Sequence, residues 1–289
     1  MYSPSKRIKY CLMKRIILLS LFVIKSLLSN AQSIADYKIH YDFISISDTI
    51  KNEFLQTQEF ILYRVEHESR FMPSAQYYND SIGADFEKAY PQPEFKSQKE
   101  FQNYVDLLHE KVKRKPVRLN YKISKNFETG NFISLFQYSL PTQYIEEPMN
   151  FDWDITNEVD TILGLPCMKA TTKYGGRNYD AWFTLAVPIN DGPYVFQGLP
   201  GLILKITDDK EWYTFIVNNI VTEKTNRYWR PDFMNKFAQK IDRKTFVDKM
   251  IRQKENPPPI PGVLNFTEED RLRLKERYAK RFDLLIEQY

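Results

Sequence analysis

The sequence predicts an α+β fold with a mainly antiparallel, curved sheet and flanking helices, including helices near the C terminus. Apolar and polar residues alternate in short segments along most of the chain, which is typical of strands with one solvated face. Helical spacing of apolar residues occurs in only two regions, and glycine is scarce, with 9 in 289 residues. Sequential short strands separated by turn residues favour antiparallel pairing.

The alternation is strict in residues 37–43 and 117–124, where every second side chain is apolar. Further strand candidates are recognised by their content of aromatic and β-branched residues. They lie at residues 60–65, 132–138, 151–155, 165–172, 179–187, 202–207 and 212–221.

One helix is predicted in residues 99–113, and three more are predicted near the C terminus from apolar residues at helical spacing. The apolar residues of these three are Phe233, Phe237 and Ile241; Phe246, Val247 and Met250; and Leu274, Tyr278, Phe282, Leu285 and Tyr289. The last helix is preceded by a capping sequence from Thr267 to Asp270. A proline-rich stretch, residues 257–261, is interpreted as an extended spacer.

The N terminus has the pattern of a signal peptide. Basic residues precede an apolar run at residues 16–24, and Ala31 ends a small-residue cleavage site. Lys25 interrupts the run well before the roughly 20 apolar residues that a membrane-spanning helix needs. We expect cleavage near Ala31, a periplasmic or secreted mature chain of residues 32–289, and no transmembrane span in it.

The basic character of the whole chain comes from this N-terminal segment. Six of the 41 Lys and Arg residues, and none of the 37 Asp and Glu residues, lie in the first 31 positions. The mature chain therefore carries a formal charge of −2. Its one short basic stretch, residues 111–115, is typical of the solvated end of a helix, so nucleic-acid binding is not expected.

The most informative segment is Gly198-Leu199-Pro200-Gly201-Leu202-Ile203. Proline presets the first central position of a type II turn and glycine supplies the positive φ of the second, so we expect a turn at Pro200 and Gly201. A buried strand should follow. Gly198 is interpreted as a further structural bend rather than as a place where a ligand approaches the backbone.

The residues before this segment support a resemblance to a known family. They are Cys167 to Ala170, Arg177, Tyr179, Ala181 to Thr184, Val187 to Ile189, Gly192 to Tyr194 and Phe196. With this order and spacing, residues 157–209 resemble the GLPGLI family of exported proteins from Gram-negative bacteria. The resemblance implies one GLPGLI-type domain over residues 32–289 and brings no assigned enzymatic activity. Residues 72–116 match no family pattern, which suggests an insertion, and residues 231–289 are expected to form a helical extension.

Cys167 is the single cysteine of the mature chain, because Cys11 precedes the apolar run of the signal segment. It is predicted to be a buried packing residue near the start of a strand. Its neighbour Lys169 shares its strand face, so burial requires either that this face turns toward solvent by Lys169 or that the lysine extends its ammonium group toward solvent. The alternative is a hydrolase-like or thiol enzyme in which a histidine from elsewhere activates Cys167.

The sequence contains no phosphate-binding glycine loop, nucleophile elbow or paired-histidine metal motif. His40, His67 and His109 each stand among polar neighbours and are interpreted as surface residues, so no cofactor or metal is expected. Arg177, Tyr179 and Trp182 are candidate ligand-binding residues, since a Trp and a Tyr can line a groove while Arg meets an anionic head group. The competing interpretation places Tyr179 and Trp182 on opposite faces of one strand.

These observations favour a non-catalytic envelope protein that binds an apolar ligand, an envelope lipid or another envelope protein, such as an outer-membrane protein. We expect the fold to resemble that of the bacterial lipoprotein carriers, in which helices cover an open half-barrel of aromatic-rich strands. A large exposed apolar patch would instead indicate a partner of an outer-membrane complex. The enzyme alternative uses Cys167 or a carboxylate pair with a histidine, and Cys167 in a cleft beside His40 or His67 would support it.

Overall fold

The computed structural model describes residues 36–48, 53–117, 119, 121–136, 143–223, 239–256 and 267–282. The predicted signal segment and the spacer at residues 257–261 lie outside these ranges. The strands are β1 Asp36–Asp48, β2 Glu53–Val65, β3 Glu68–Pro73, β4 Tyr121–Asn126, β5 Asn131–Phe136, β6 Gln143–Pro148, β7 Asp154–Ile162, β8 Leu165–Tyr174, β9 Arg177–Thr184, β10 Leu202–Asp208, β11 Tyr213–Glu223 and β12 Gln239–Lys240. The helices are α1 Ser74–Ala89, α2 Gln98–Lys111, α3 Arg243–Glu255 and α4 Glu268–Phe282.

The twelve strands found in the described residues belong to one sheet, which is open over that part of the chain, in the order β12-β6-β5-β4-β3-β2-β1-β11-β10-β9-β8-β7. Every pairing is antiparallel except that of the short β12 with β6. The first six strands form a meander from β1 outward, and β11 back to β7 forms a second meander on the other side of β1. The fold is α+β with a curved, mainly antiparallel sheet, as predicted, and its two edge strands are β12 and β7.

An aromatic row crosses the middle of the sheet and explains why these strands pair in this register. Phe43 on β1 stacks on Phe215 of β11 at 4.5 Å between ring centroids, and its edge meets Phe60 of β2 at 5.9 Å. Phe60 in turn stacks on Phe71 of β3 at 4.9 Å. Cross-strand aromatic pairs of this kind are the main local stabilisation of a sheet. A one-residue slip would move the whole row to the solvated face.

Two predicted strands have different boundaries in the structure. The strand predicted at residues 117–124 begins at Tyr121 as β4, and Leu119 lies outside it, with two hydrogen bonds of 2.9 Å between its backbone and the side-chain amide of Gln58. The strand predicted at residues 179–187 ends at Thr184, since the chain turns at residues 185–187. Strands β3 and β6 and helix α1 had no prediction.

The helices confirm part of the C-terminal prediction. In α4, Thr267 Oγ1 accepts the backbone N–H of Asp270 while Asp270 Oδ2 accepts that of Thr267, which is the reciprocal cap expected from the sequence. The helix predicted around Ile241 is wrong where it is described, because Ile241 follows β12 and its N–H bonds to Tyr144 of β6. Phe233 and Phe237 lie outside the described ranges.

Helices flank the sheet at several places. Helix α1 packs against β2 and β3, α3 packs against α4, and α4 meets β1. The segment predicted to be an insertion therefore contributes α1 and α2, while the described part of residues 231–289 contributes β12 in addition to two helices. Among the described helices, none has the length and apolar character needed to cross a membrane.

Candidate functional site

The chain between β9 and β10, residues 185–201, is called the signature loop because it contains most of the GLPGLI motif. It folds back across the end of β10: the backbone N–H of Ile203 bonds to the carbonyl of Asp191, and Leu202 N–H bonds to that of Val187. Asp191 also forms a bridge with Gln197. Every residue from Asp191 to Gln197 is buried. The loop is therefore a packed part of the fold.

The predicted positive φ of Gly201 is wrong, and a different constraint requires glycine there. A Cβ atom at Gly201 would lie 2.1 Å from the carbonyl oxygen of Thr184, at the end of β9. That oxygen belongs to the backbone and cannot move aside as a flexible side chain would. The positive φ occurs at Gly198 instead, at +97°. The motif thus lets two backbone segments approach each other closely.

A buried ion centre of Lys125, Asp191 and Arg64 fixes the signature loop to the other half of the sheet. The ammonium group of Lys125 on β4 donates three hydrogen bonds, to Asp191 Oδ1 at 2.7 Å, to the Gly192 carbonyl at 2.7 Å and to the Phe196 carbonyl at 2.9 Å. The side chains of Lys125 and Asp191 are both fully buried. Because all three ammonium donors are used, Lys125 has none left for a ligand.

Arg64 on β2 and Tyr41 on β1 complete the surroundings of Asp191. Arg64 Nη1 lies 3.6 Å from Asp191 Oδ2, and the guanidinium stacks on Phe127 at 3.6 Å. Burial, opposed by the charge of Asp191, lowers the pKa of Lys125. Burial and then the charge of Asp191 raise the pKa of Tyr41, whose hydroxyl donates to the Ile203 carbonyl at 2.6 Å. The phenol is therefore neutral and holds the strand that follows the motif.

Aromatic rings pack around Phe196 at the centre of the signature loop. Tyr179 of β9 lies 4.8 Å from it between ring centroids, and Phe151 lies at 5.6 Å. Trp153 Nε1 donates to the Gln197 carbonyl at 2.9 Å. The loop thus covers the core face of β9 and β10.

The three candidate ligand-binding residues have separate environments. Arg177 is buried and donates to Asp208 Oδ2 at 2.9 Å, with Tyr213 beneath its guanidinium. Tyr179 is buried beside Phe196, whereas Trp182 is half-buried on the opposite face, as strand alternation requires. The structure does not bring the three side chains together around a common cleft. Desolvation raises the pKa of Asp208 despite this ion pair.

The predicted burial of Cys167 is confirmed, since its exposed fraction is 2%. Burial raises the pKa of the thiol, whose Sγ lies 3.4 Å from the Leu165 carbonyl. Lys169, on the same face, extends its ammonium group to Asp180 at 3.0 Å and to Glu158 at 3.3 Å. This is the arrangement that reconciles a buried cysteine with a lysine two residues later.

The histidines lie on elements away from β8. His40 on β1 faces Glu59 at 3.2 Å, and His67, in the turn between β2 and β3, lies 3.8 Å from Glu128. His109 is exposed on α2. Within the described ranges, no cluster of three or more potential metal ligands occurs.

The edge strand β7 carries an exposed apolar side chain on the core face of the sheet. Val159 on β7 pairs with Met168 on β8, and Met168 pairs with Phe183 on β9. Directly paired residues share a face, so this row lies on the core face. Phe183 is 1% exposed, Met168 is half-buried and Val159 is 76% exposed. The apolar core therefore continues into solvent at β7.

The same end of the sheet carries further exposed apolar side chains. Leu163 at the tip of the β7–β8 turn is 52% exposed, Leu185 after β9 is 56% exposed and Ile155 on β7 is 45% exposed. Together with Val159 they are called the apolar edge. Leu163 has a φ of +51° and Gly164 one of +74°, which makes a turn with two left-handed residues. Such turns normally take Asn or Asp at the first position, and leucine is strained there.

Sequence reasoning missed both the ion centre and the apolar edge, although signals for each were present. Lys125 follows Ile123 by two residues in an alternating strand, so both side chains lie on the core face. A charged side chain at such a position is a signal in the sequence. The pair Leu163-Gly164 follows a run rich in β-branched residues and precedes a further predicted strand, which is a hairpin pattern. Neither pattern belongs to a known catalytic motif.

Comparison with known proteins gives a short match on this region. Residues 176–205, which span β9, the signature loop and the start of β10, match the model of one family, described as a protein of unknown function (Porph_ging). No curated protein matches the sequence.

Solved structures with similar backbones share little sequence with the chain. PNGF-II, in its P21 crystal form, is 13% identical with a TM-score of 0.47; the similarity covers 76% of this chain and 34% of PNGF-II, so the chain spans about a third of that protein. MucB in complex with MucA(peri) is 10% identical, with a TM-score of 0.29 and coverage of 72% and 57%. An outer membrane lipoprotein-sorting protein domain from Vibrio parahaemolyticus is 7% identical, with a TM-score of 0.29 and coverage of 75% and 96%. These low TM-scores support no functional argument.

Proposed function

We propose that this chain is a non-catalytic, exported envelope protein that binds another envelope protein at the apolar edge of its sheet. The observation that carries the proposal is the row from Phe183 through Met168 to Val159, because it takes apolar surface from the core into solvent with no covering element in the described ranges. Exposed apolar surface continuous with a core is typical of protein interaction sites.

The strained leucine at the hairpin tip supports the same proposal. A large apolar side chain at a left-handed position lowers the stability of the turn, and strain of this kind tends to occur at functional sites. Leu163 is also half in solvent, so its side chain gains little from the core. A role in binding accounts for both properties.

The charges near the apolar edge favour a protein over a lipid surface. Strand β7 carries Asp154, Glu158 and Asp160 and contains no Lys or Arg. Anionic head groups repel such a strand, whereas a basic protein segment is attracted to it. A thiol enzyme is disfavoured, because burial keeps the Cys167 thiol protonated at neutral pH.

Export belongs to the proposal as well. Its support is the signal-peptide pattern, with cleavage near Ala31 and a periplasmic or secreted mature chain. Membership of the GLPGLI family is proposed from the motif in residues 198–203 and its context. Arg177, Tyr179 and Trp182 stay proposed as candidate ligand-binding residues, with Arg177 and Tyr179 on the core face of β9 and Trp182 on the opposite face.

Native mass spectrometry of the protein purified from its own envelope tests the proposal. We expect the unmodified protein to retain a protein partner, and Leu163→Ser to lose it. Leu272→Ser is the matched control, because Leu272 is 55% exposed on α4 and lies outside the apolar edge. A retained lipid that all three proteins keep would contradict the proposal and favour a lipid carrier.

A further inference from the structure

We infer that β7 binds its partner by strand addition, taking an extended, basic segment of that protein as an added strand next to β7. The inference rests on the proposed function and specifies its binding mode and the chemistry of the partner. An edge strand offers backbone N–H and C=O groups to a neighbouring chain, and β7 is one of the two edge strands of the sheet that the described residues form.

The register of the β7–β8 hairpin identifies the backbone groups that are free for such pairing. Ile162 pairs with Leu165 across a two-residue turn, which makes them a hydrogen-bonded pair. Hydrogen-bonded and non-hydrogen-bonded pairs alternate along an antiparallel ladder. Thr161 and Val159 therefore direct their N–H and C=O groups away from β8, toward the open edge.

One side-chain contact agrees with this register. The N–H of Thr161 donates to Asp160 Oδ1 at 2.7 Å, which agrees with an N–H that points away from β8. Thr161 pairs with Pro166 of β8. This is a non-hydrogen-bonded pair, so the missing N–H of the proline costs no bond between the two strands. The carboxylate of Asp160 thus accepts the Thr161 N–H that an added strand would need as a donor. A basic residue of the added strand can pair with this carboxylate and so release the N–H.

The negative charge of β7 indicates which kind of strand can pair with it. A second copy of the chain would place one acidic strand beside another, because the nine residues of β7 include three carboxylates and no basic residue. Like charges directly opposite each other destabilise a strand pair. A segment that alternates Lys or Arg with apolar residues has charges complementary to Asp154 and Asp160, and its apolar residues can contact Val159 and Leu163.

The test uses two fluorescent peptides and the mature protein. One peptide alternates Lys with Val, and the other replaces each Lys with Glu. We expect the Lys peptide to bind about tenfold more tightly than the Glu peptide, with an affinity that falls as salt is raised. Equal affinity of the two peptides would overturn the inferred partner chemistry.

A proline substitution separates strand addition from simple apolar contact. Thr161→Pro removes one outward N–H while leaving the bonds between β7 and β8, and Thr161→Val is the control that keeps the N–H. Losing one backbone hydrogen bond should weaken binding of the Lys peptide by about tenfold relative to the control. Equal binding by both variants would overturn strand addition.

Hydrogen exchange of the unmodified protein gives a second readout that needs no substitution. Binding of the Lys peptide should slow exchange of the Val159 and Thr161 amides more than that of other β7 amides. Unchanged exchange at these two positions would also overturn strand addition. Retention of an envelope protein in the mass spectrometry test would still support the proposed function, so the failures of the two proposals are distinguishable.

Discussion

Leu163 combines a strained backbone with an exposed apolar side chain, so stability and binding should respond to its substitution in opposite directions. Leu163→Asn places at the left-handed position a residue that adopts it readily. We expect the free energy of unfolding to rise by about 1 kcal/mol in denaturant titration. Binding of the envelope partner should be lost. A variant that is both more stable and fully active in binding would exclude Leu163 from the interface.

Gly201 is constrained by space rather than by φ, which predicts a large effect of one added methyl group. Gly201→Ala should lower the free energy of unfolding by about 3 kcal/mol, because the backbone oxygen of Thr184 cannot yield. Gly130→Ala is the control, since Gly130 has a φ of +71° and open space around it. Its cost should be about 1 kcal/mol. Equal costs measured by urea unfolding would refute the steric explanation.

Cys167 should behave as a protected thiol. We expect slow reaction with a water-soluble thiol reagent in the folded protein and fast reaction after denaturation. Its folded-state pKa lies above that of an unfolded thiol, so its contribution to stability is fully present at neutral pH. That contribution is lost as the pH rises through the folded-state pKa. Rapid labelling of Cys167 in the native protein near neutral pH would contradict this prediction and support the thiol-enzyme alternative.

At the scale of elements, the ion centre joins β4 to the signature loop. Lys125→Met leaves the carboxylate of Asp191 buried without its nearest cation, with the Gly192 N–H at 2.8 Å and Arg64 at 3.6 Å still beside it. We expect a loss of about 3–5 kcal/mol in the free energy of unfolding. Lys240→Met is the control, because Lys240 pairs with Glu146 in solvent and should leave the unfolding midpoint nearly unchanged. Similar midpoints for both variants would contradict a structural role for Lys125.

The elements that the sequence predicts well are those with strong local signals. The strict alternation of residues 37–43 reappears in β1, and the cap at Thr267 begins α4. Helix α1 was missed because Pro73 precedes it without a side-chain cap and Gly83 interrupts its helical pattern. Helix starts without a capping residue give little warning in a sequence.

The candidate site was less predictable than the fold, because its features depend on neighbours that are distant in the chain. Asp191 meets Lys125 across 66 positions, and no spacing rule connects them. The exposure of Val159 follows from the place of β7 at the edge of the sheet, which local alternation does not determine. Gly201 illustrates the same limit, since its close contact with Thr184 is made by tertiary packing.

At the scale of the whole molecule, the sheet has a covered centre and an uncovered edge. The signature loop fills the core face over β9 and β10, and the ion centre ties it to the first meander. Strand β7 pairs with β8 along this sheet, and a residue held in a sheet loses less entropy on binding than a residue in a loop. The central claim is that the apolar edge, with the acidic strand β7, is the surface that binds a protein partner.

Site-specific photo-cross-linking in the native envelope tests this claim most directly. A photoreactive phenylalanine derivative would replace Val159 in one variant and Leu272, on α4, in another. We predict one covalent adduct with a single envelope protein from position 159, and none from position 272. Adducts of the same protein from both positions, or only lipid adducts from position 159, would contradict the claim.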